Sequence, residues 1–503
     1  MKQKQILFFL TIASIFLLIP TNLSLPTHQF TDTPLTEPIS FQTYKEYYQN
    51  LDTSEEIIII YPRSSIPVIV TPTQSFIIQF QSISFDSLFV TMTTAYDSLA
   101  ENVQLPIESI TEEQNIKYAT VTIPEDAVPE LYNITLTIEA EGETYSTTRP
   151  RSISVKEEID GSYTFVHLTD FHIGDPRGLT ENFKEIIGWK AARKTVEEIN
   201  LLNPDFVIIS GDLTFGQLYP FEYTFEYQTC YEILQDFDVP TFLCPGNHDG
   251  YVQTFQDGLK LWEDYFGPLY YSFDYHNTHF LSINSYDWPY KARLGFSYLV
   301  FNWGGSIQQD QLAWIENDLA SHSETNQTIM MMHHNPLWNT TKDSLVGNGY
   351  YNQEAILNLI RSNNVDAVFD GHVHYDDITI DNETLYVTTT TVSSSFSGDA
   401  YWGYRLISVE DESITEYNYQ EPKYSIPSYQ INIIEEQQKS ITIENNLVKP
   451  ITIQHEFVVP IDDYTVNTGE IIQIREKNDM AAIYITATIN AETTETITLS
   501  QSD

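Results

Sequence analysis

The chain is predicted to be multidomain, with a central α/β domain between two all-β domains. Three observations predict this. Residues 161–410 alternate short apolar runs with stretches of helical periodicity. Residues 55–156 and 411–503 instead show short β-type runs separated by turn residues. A length of 503 residues suits about three domains.

Taken in order, residues 1–20 read as an export segment. Lys2 and Lys4 give a basic start, Ile6–Ile19 is apolar apart from Thr11 and Ser14, and Pro20 ends the run. That run is shorter than the about 20 residues a membrane span needs, so a signal peptide is expected, with an uncleaved N-terminal anchor as the alternative. Either way the chain is expected to be extracellular or held at the cell surface. N-x-[ST] sequons at Asn22, Asn133, Asn326, Asn339 and Asn382 are compatible with export. Residues 21–54 are rich in Thr and Pro and read as a linker.

In residues 55–156 the expected strands are Ile57–Ile60, Phe76–Phe80, Leu88–Met92, Ala119–Ile123, Tyr132–Ile138 and Ser152–Val155. Their spacing suits a β-sandwich. Residues 123–134 resemble the strand–loop–strand corner of immunoglobulin-like modules. Residues 411–503 give a second such set: Gln430–Ile434, Ser440–Ile443, Pro450–Phe457, Ile471–Ile474, Ala482–Ile489 and Thr494–Leu499. Both segments are therefore expected to be all-β, immunoglobulin-like domains. Neither carries a catalytic cluster.

The central domain, 161–410, is expected to have strands at Tyr163–Leu168, Phe206–Ser210, Thr241–Cys244, Thr278–Ile283, Thr328–Met332 and Ala367–Asp370. Helices are expected near 183–199, where Phe183, Ile187, Ala191, Val196 and Ile199 approximate one face, and near 221–236 and 308–320. In such a fold, sites form beyond the C-terminal ends of strands. Those ends carry Asp170-Phe171-His172, Gly211-Asp212, Gly246-Asn247-His248-Asp249, His333-His334-Asn335-Pro336 and Gly371-His372-Val373-His374. An i, i+2 pair in extended chain points both side chains to one face, so Asp170 and His172 can converge, as can His372 and His374. Ten of the twelve histidines lie in this domain. Carboxylates, an amide oxygen and imidazoles together suit Zn, Mn or Fe.

These ordered motifs resemble the calcineurin-like metallophosphoesterases, over about half the chain. Residues 267–274 and 311–314 also look like that family. The resemblance implies a β-sandwich core flanked by helices and two divalent metal ions. It places Asp170, His172 and His374 on one ion and Asn247, His372 and one histidine of the 333–334 pair on the other. Asp212 would bridge both, and His248 would face the phosphate, stabilising charge or protonating the leaving oxygen. The family's His-x-Pro spacing selects His334, whereas nearness to the strand end selects His333; His334 is the choice made here. A bridging hydroxide would then attack phosphorus in a phosphate mono- or diester. Related expectations are a pyrophosphate or lipid-linked phosphate hydrolase. From another class, the chain would be a surface binding protein with an inactive phosphoesterase domain. Purple acid phosphatases use a tyrosine three residues after the Gly-Asp aspartate; here that residue is Phe215, which cannot donate oxygen to iron. A colourless enzyme is therefore expected.

The formal charge of −46, from 70 acidic against 24 basic residues, argues against nucleic acid and anionic membrane surfaces as partners. A small phosphorylated substrate is the expected partner. Arg177 stands either as a phosphate ligand or as a surface residue. The aromatic stretch Tyr286, Trp288, Tyr290, Phe296, Tyr298, Phe301 and Trp303 is either a wall for the leaving group or a packed loop. Cys230 and Cys244 are either buried thiols or a pair.

Overall fold

The computed structural model describes residues 56–95, 99, 102–175, 187–217, 223–253, 256–296, 299–300, 302–338, 349–393, 401–420 and 424–502. The expected export segment, the linker, Phe183, Arg177, Tyr298 and Phe301 lie outside these residues.

The central part is built on two sheets. In the first, β1 (Tyr163–Leu168), β2 (Phe206–Ser210) and β3 (Thr241–Cys244) run parallel in the order β3-β2-β1. The second holds β4 (Tyr271–Tyr275), β5 (Thr278–Ile283), β6 (Gln327–Met332), β7 (Ala367–Asp370), β8 (Asp377–Asp381) and β9 (Thr384–Thr388), ordered β4-β5-β6-β7-β9-β8. Two further strands extend the first sheet: β10 (Gly403–Glu410) lies antiparallel to β1, and β11 (Ser413–Glu416) pairs with β10. The sheet therefore runs past residue 410, where the central domain was expected to end.

Alternation along each strand decides what packs where. Phe165, Phe206, Ile208 and Phe242 of the first sheet meet Phe273, Phe280, Met331 and Phe369 of the second in one apolar layer. Phe242 and Phe273 stack with ring centroids 3.6 Å apart. The opposite faces take helices. Val166, Leu168, Val207 and Ile209 pack under α1 (Ile187–Leu202) and α2 (Tyr223–Leu234). A third helix, α3 (Gly258–Tyr265), adds Trp262 to that cluster. Leu281, Ile283, Met330, Met332 and Val368 pack under α4 (Gln309–Ser321) and α5 (Gln353–Ser362). The expected β-sandwich core with flanking helices is what the chain forms.

Residues 56–155 form two further sheets, in which Leu88, Val90 and Met92 face inward while Phe89 is exposed. The edge strand Ile107–Glu113 is polar and exposed along nearly its whole length, which is why no apolar run announces it. Residues 431–501 form two sheets as well, of four and three strands. Both β-rich regions are fastened to the centre. Buried Arg151 donates to the carbonyls of Phe237 (2.8 Å) and Val239 (2.5 Å), just before β3. Thr241 donates to the carbonyl of Ser64 at 2.7 Å. Asn203, after α1, donates to Gln454 at 2.6 Å.

At the far edge of the second sheet, buried His279 sits between Asp274 (2.6 Å) and Asp318 (2.7 Å). Burial alone would lower its pKa, but the two carboxylates outweigh this and raise it to about 9. A histidine raised above its unfolded value of about 6.5 stabilises fully below that value. The contribution is lost as pH rises through about 9. Thermal unfolding from pH 7 to 10 is expected to show a loss on the order of 1–3 kcal/mol that a His279→Asn variant lacks. Parallel curves for the two proteins across that range would contradict this account.

Candidate metal centre

Parallel pairing brings the strand ends together. Leu168 pairs with Ile209, Ser210 with Cys244, and Met331 with Phe369, so the residues that follow these positions emerge on one edge of the sandwich. The loops are stitched to each other: the amide of Asp170 donates to Gly211 and that of His172 to Asp212. Gly211 (φ +86°) and Gly246 let these loops touch, since a Cβ on Gly246 would overlap the amide and carboxylate of Asp212. Asn247–Gly250 is a short helical turn, and Asp249 clamps it by accepting from the amides of Gly246 and Thr214 at 2.9 Å each.

The resulting geometry is tight. Nε2 of His172 lies 3.3 Å from both Asp170 Oδ1 and Asp212 Oδ2. Nε2 of His374 is 3.1 Å from Asp170, and Nε2 of His333 is 3.1 Å from Asp212. Nε2 of His248 stands 4.0 Å from Asp212. Asp170, His172 and His374 form one group of convergent donors, and Asp170, Asp212 and His333 another. His372 joins a third with His333 and His334.

Five of these residues hold left-handed backbone: Asp170 (φ 57°), His172 (46°), Asp212 (54°), His372 (72°) and His374 (60°). Non-glycine residues rarely adopt this region, and such strain clusters at functional sites.

The electrostatics are those of a site built for cations. Burial would raise both carboxylates, yet the surrounding histidines hold Asp170 and Asp212 well below the usual range. Burial would lower His172 and His333, yet the same carboxylates raise them to about 10 and about 9. Burial dominates at His248 and His372 and lowers each to about 3. Metal binding needs these histidines deprotonated and would release any proton they carry.

Two buried atoms decide whether metal fits. Asn247 Oδ1 and His333 Nε2 have no hydrogen-bond partner. Asn247 Nδ2 donates to Tyr251 at 2.5 Å, which fixes the amide with its oxygen as the open atom. Nδ1 of His333 donates to the carbonyl of Ser210 at 2.6 Å, leaving Nε2 to face Asp212. An outer hydrogen bond that fixes the tautomer is how ligating histidines are held. The donor set therefore fits metal.

His334, selected by its spacing to proline, is differently engaged. Its Nδ1 pairs with Ser285 Oγ and its Nε2 with the carbonyl of Trp303, each at 3.0 Å. The residue directly after β6, His333, is the one aimed at Asp212. Two supporting residues went unread in the sequence. Ser285 accepts from the amides of both His333 (3.1 Å) and His334 (2.9 Å), and Tyr251 orients Asn247. The only signal for Ser285 was its place two residues beyond β5.

Phe215 is buried beside His248 and His172, with ring centroids 5.5 and 6.1 Å away. The aromatic stretch divides. Tyr286 is buried and bonded to the Asn302 carbonyl, while Tyr290 and Trp303 are exposed. Cys230 and Cys244 are both buried, free thiols.

A family model, calcineurin-like phosphoesterase, matches residues 163–376. A probable cyclic nucleotide phosphodiesterase of Fibrobacter succinogenes is 24% identical over 44% of this chain and 78% of its own. A probable glycerophosphodiester phosphodiesterase of Arcobacter nitrofigilis is 28% identical over 46% of this chain and 80% of its own. Purple acid phosphatase 22 of Arabidopsis thaliana is 31% identical over 21% of each chain. With the family's residues converging as its chemistry requires, the domain spanning residues 163–376 belongs to the calcineurin-like phosphoesterase family, and the chain is a metal-dependent phosphoesterase.

Proposed function

We propose that the chain hydrolyses small phosphodiesters, outside the cell or tethered to its surface, with two divalent ions such as Mn, Zn or Fe(II). The convergence of Asp170, His172, Asp212, Asn247, His333, His372 and His374, with buried donor atoms left open, carries this reading. Asp170, His172 and His374 would hold one ion; Asn247, His333 and His372 the other; Asp212 both. His333 takes the place first given to His334, because only its open nitrogen faces Asp212. When bound, the ions would activate water near neutral pH and offset charge on the phosphoryl oxygens.

The chain's own residues do the rest. The Phe215 carbonyl accepts from His248 Nδ1 at 2.5 Å and so turns Nε2 toward the site. From there the imidazole, once it also carries a proton on Nε2, would stabilise phosphoryl charge or hand that proton to the leaving oxygen. Two relatives are named as phosphodiesterases, which favours a diester. The apolar run in residues 1–20 supports export. An immunoglobulin-like character for the flanking regions is supported by a shared corner. Tyr132 donates to the Val128 carbonyl (2.7 Å) and Tyr464 to that of Pro460 (3.1 Å), each four residues upstream.

Hydrolysis of bis(p-nitrophenyl) phosphate by purified protein is expected to stop on chelation and return with added Mn or Zn. Iron-loaded protein is expected to stay colourless, because Phe215 offers no phenolate. Undiminished turnover in metal-free protein would sink the two-ion reading, whereas no turnover with either metal would leave the pyrophosphatase and inactive-binder alternatives to be tested.

A further inference from the structure

We propose that Glu226 and Tyr223, on one face of α2, are positioning residues for His248, and that Glu226 acts through the Phe215–Gly216 peptide. This rests on the phosphoesterase reading above and on the place given there to His248.

One face of α2 is turned toward the loops of the site. Tyr223, Glu226, Tyr227 and Cys230 are buried there at i, i+3, i+4 and i+7 spacing. Apolar side chains would serve if packing were the whole task. Instead each of these bonds to backbone in a site loop. Tyr223 donates to the carbonyl of His248 at 2.6 Å, and Tyr227 to that of Asp249 at 2.7 Å. Glu226 accepts from the amide of Gly216 at 2.7 Å, and the Cys230 thiol donates to the carbonyl of Leu213 at 3.3 Å. Gly216 (φ +61°) makes the approach possible, since a Cβ there would overlap the His248 carbonyl oxygen and the Tyr223 ring.

The Glu226 bond reaches His248 across one peptide. That unit is planar, so the N–H of Gly216 and the C=O of Phe215 are two ends of a single rigid group. Glu226 holds the N–H, and the C=O accepts from His248 Nδ1. The direction of that carbonyl, and with it the plane of the imidazole, is therefore set by a carboxylate one peptide away. Hydrogen bonds in such a chain also polarise one another. Tyr223 fixes the backbone of the same residue. The His248 amide is on Asp212 Oδ1 (2.8 Å), its carbonyl on Tyr223 and its Nδ1 on Phe215, which leaves Nε2 as the working atom.

Steady-state kinetics on manganese-loaded full-length protein, with bis(p-nitrophenyl) phosphate as substrate, tests this. Tyr223→Phe and Glu226→Met are each expected to lower kcat about five- to tenfold, with KM within about twofold and both ions retained. Glu226→Gln keeps an oxygen for the Gly216 amide and is expected to hold kcat within about twofold of the unmodified protein. The decisive arm is a double-mutant cycle. Added to His248→Ala, either substitution is expected to change kcat by less than about twofold, because the residue it positions is gone. Losses that multiply in the double variants, or that come with lost ions, would mean general support of the fold or of the metals and would overturn the proposal. So would an unchanged kcat in both single variants. If Glu226→Met does not fold, Tyr223→Phe, which deletes one oxygen, carries the same cycle. Full activity in His248→Ala would overturn the role of His248 and this proposal with it. No turnover by the unmodified protein would instead overturn the phosphoesterase reading on which both stand.

Discussion

Replacing Asp212 by asparagine is expected to remove hydrolysis almost completely, by more than about 10³-fold, and to strip metal from both positions. Asp212 is the carboxylate that the two halves of the site share. Its Oδ2 lies 3.3 Å from His172 on one side and 3.1 Å from His333 on the other. Its Oδ1 also accepts from the amide of His248 at 2.8 Å, so the side chain is held from three directions. Asparagine keeps the size and removes the charge that would neutralise two cations at once. Elemental analysis of the purified variant is expected to find well under two ions per chain. Two ions retained, with activity lost, would show that Asp212 acts on the substrate and not on the metals.

Replacing His248 by alanine is expected to lower turnover by about 10²–10⁴-fold while leaving two ions in place. The reasoning is positional. Nδ1 is committed to the Phe215 carbonyl, and Nε2 stops 4.0 Å from Asp212, farther out than His172 or His333. His248 also keeps 14% of its side chain exposed, whereas His172 and His333 are sealed. A residue at the open face serves what enters from that face. Elemental analysis and a kcat–KM split on the same preparation check this together. If the ions left with the imidazole, His248 would be a ligand and its role here would be wrong.

Much of the site was legible because its chemistry needs few residue types in fixed places. Asp170, His172, Asp212, Asn247, His372 and His374 each follow an apolar run, and runs buried on both faces are easy to see. The choice between His333 and His334 was not legible, because it depends on how the turn after β6 rotates and on a serine from another strand end. Ser285 and the Trp303 carbonyl engage both ring nitrogens of His334, which still stands beside His333 and His372, and neither partner is near it in sequence. The flanking β regions were read from their apolar strands, but Ile107–Glu113 was missed because an exposed edge strand needs no apolar face. Helix α5 was missed too: in ten residues it buries only Ile356, Leu357 and Ile360. Arg151, whose guanidinium reaches the carbonyls before β3, looks in sequence like any surface arginine.

The left-handed backbone at Asp170, His172, Asp212, His372 and His374 sets the terms on which this chain can be improved. Each such residue costs on the order of 1–3 kcal/mol that glycine would not. Selection for thermal stability alone would therefore push these five positions toward glycine and erase the ligands one by one. Stability and catalysis pull against each other here at the level of single φ angles. A directed-evolution campaign on this scaffold gains ground safely in the flanking sheets, and has to hold these five codons constant.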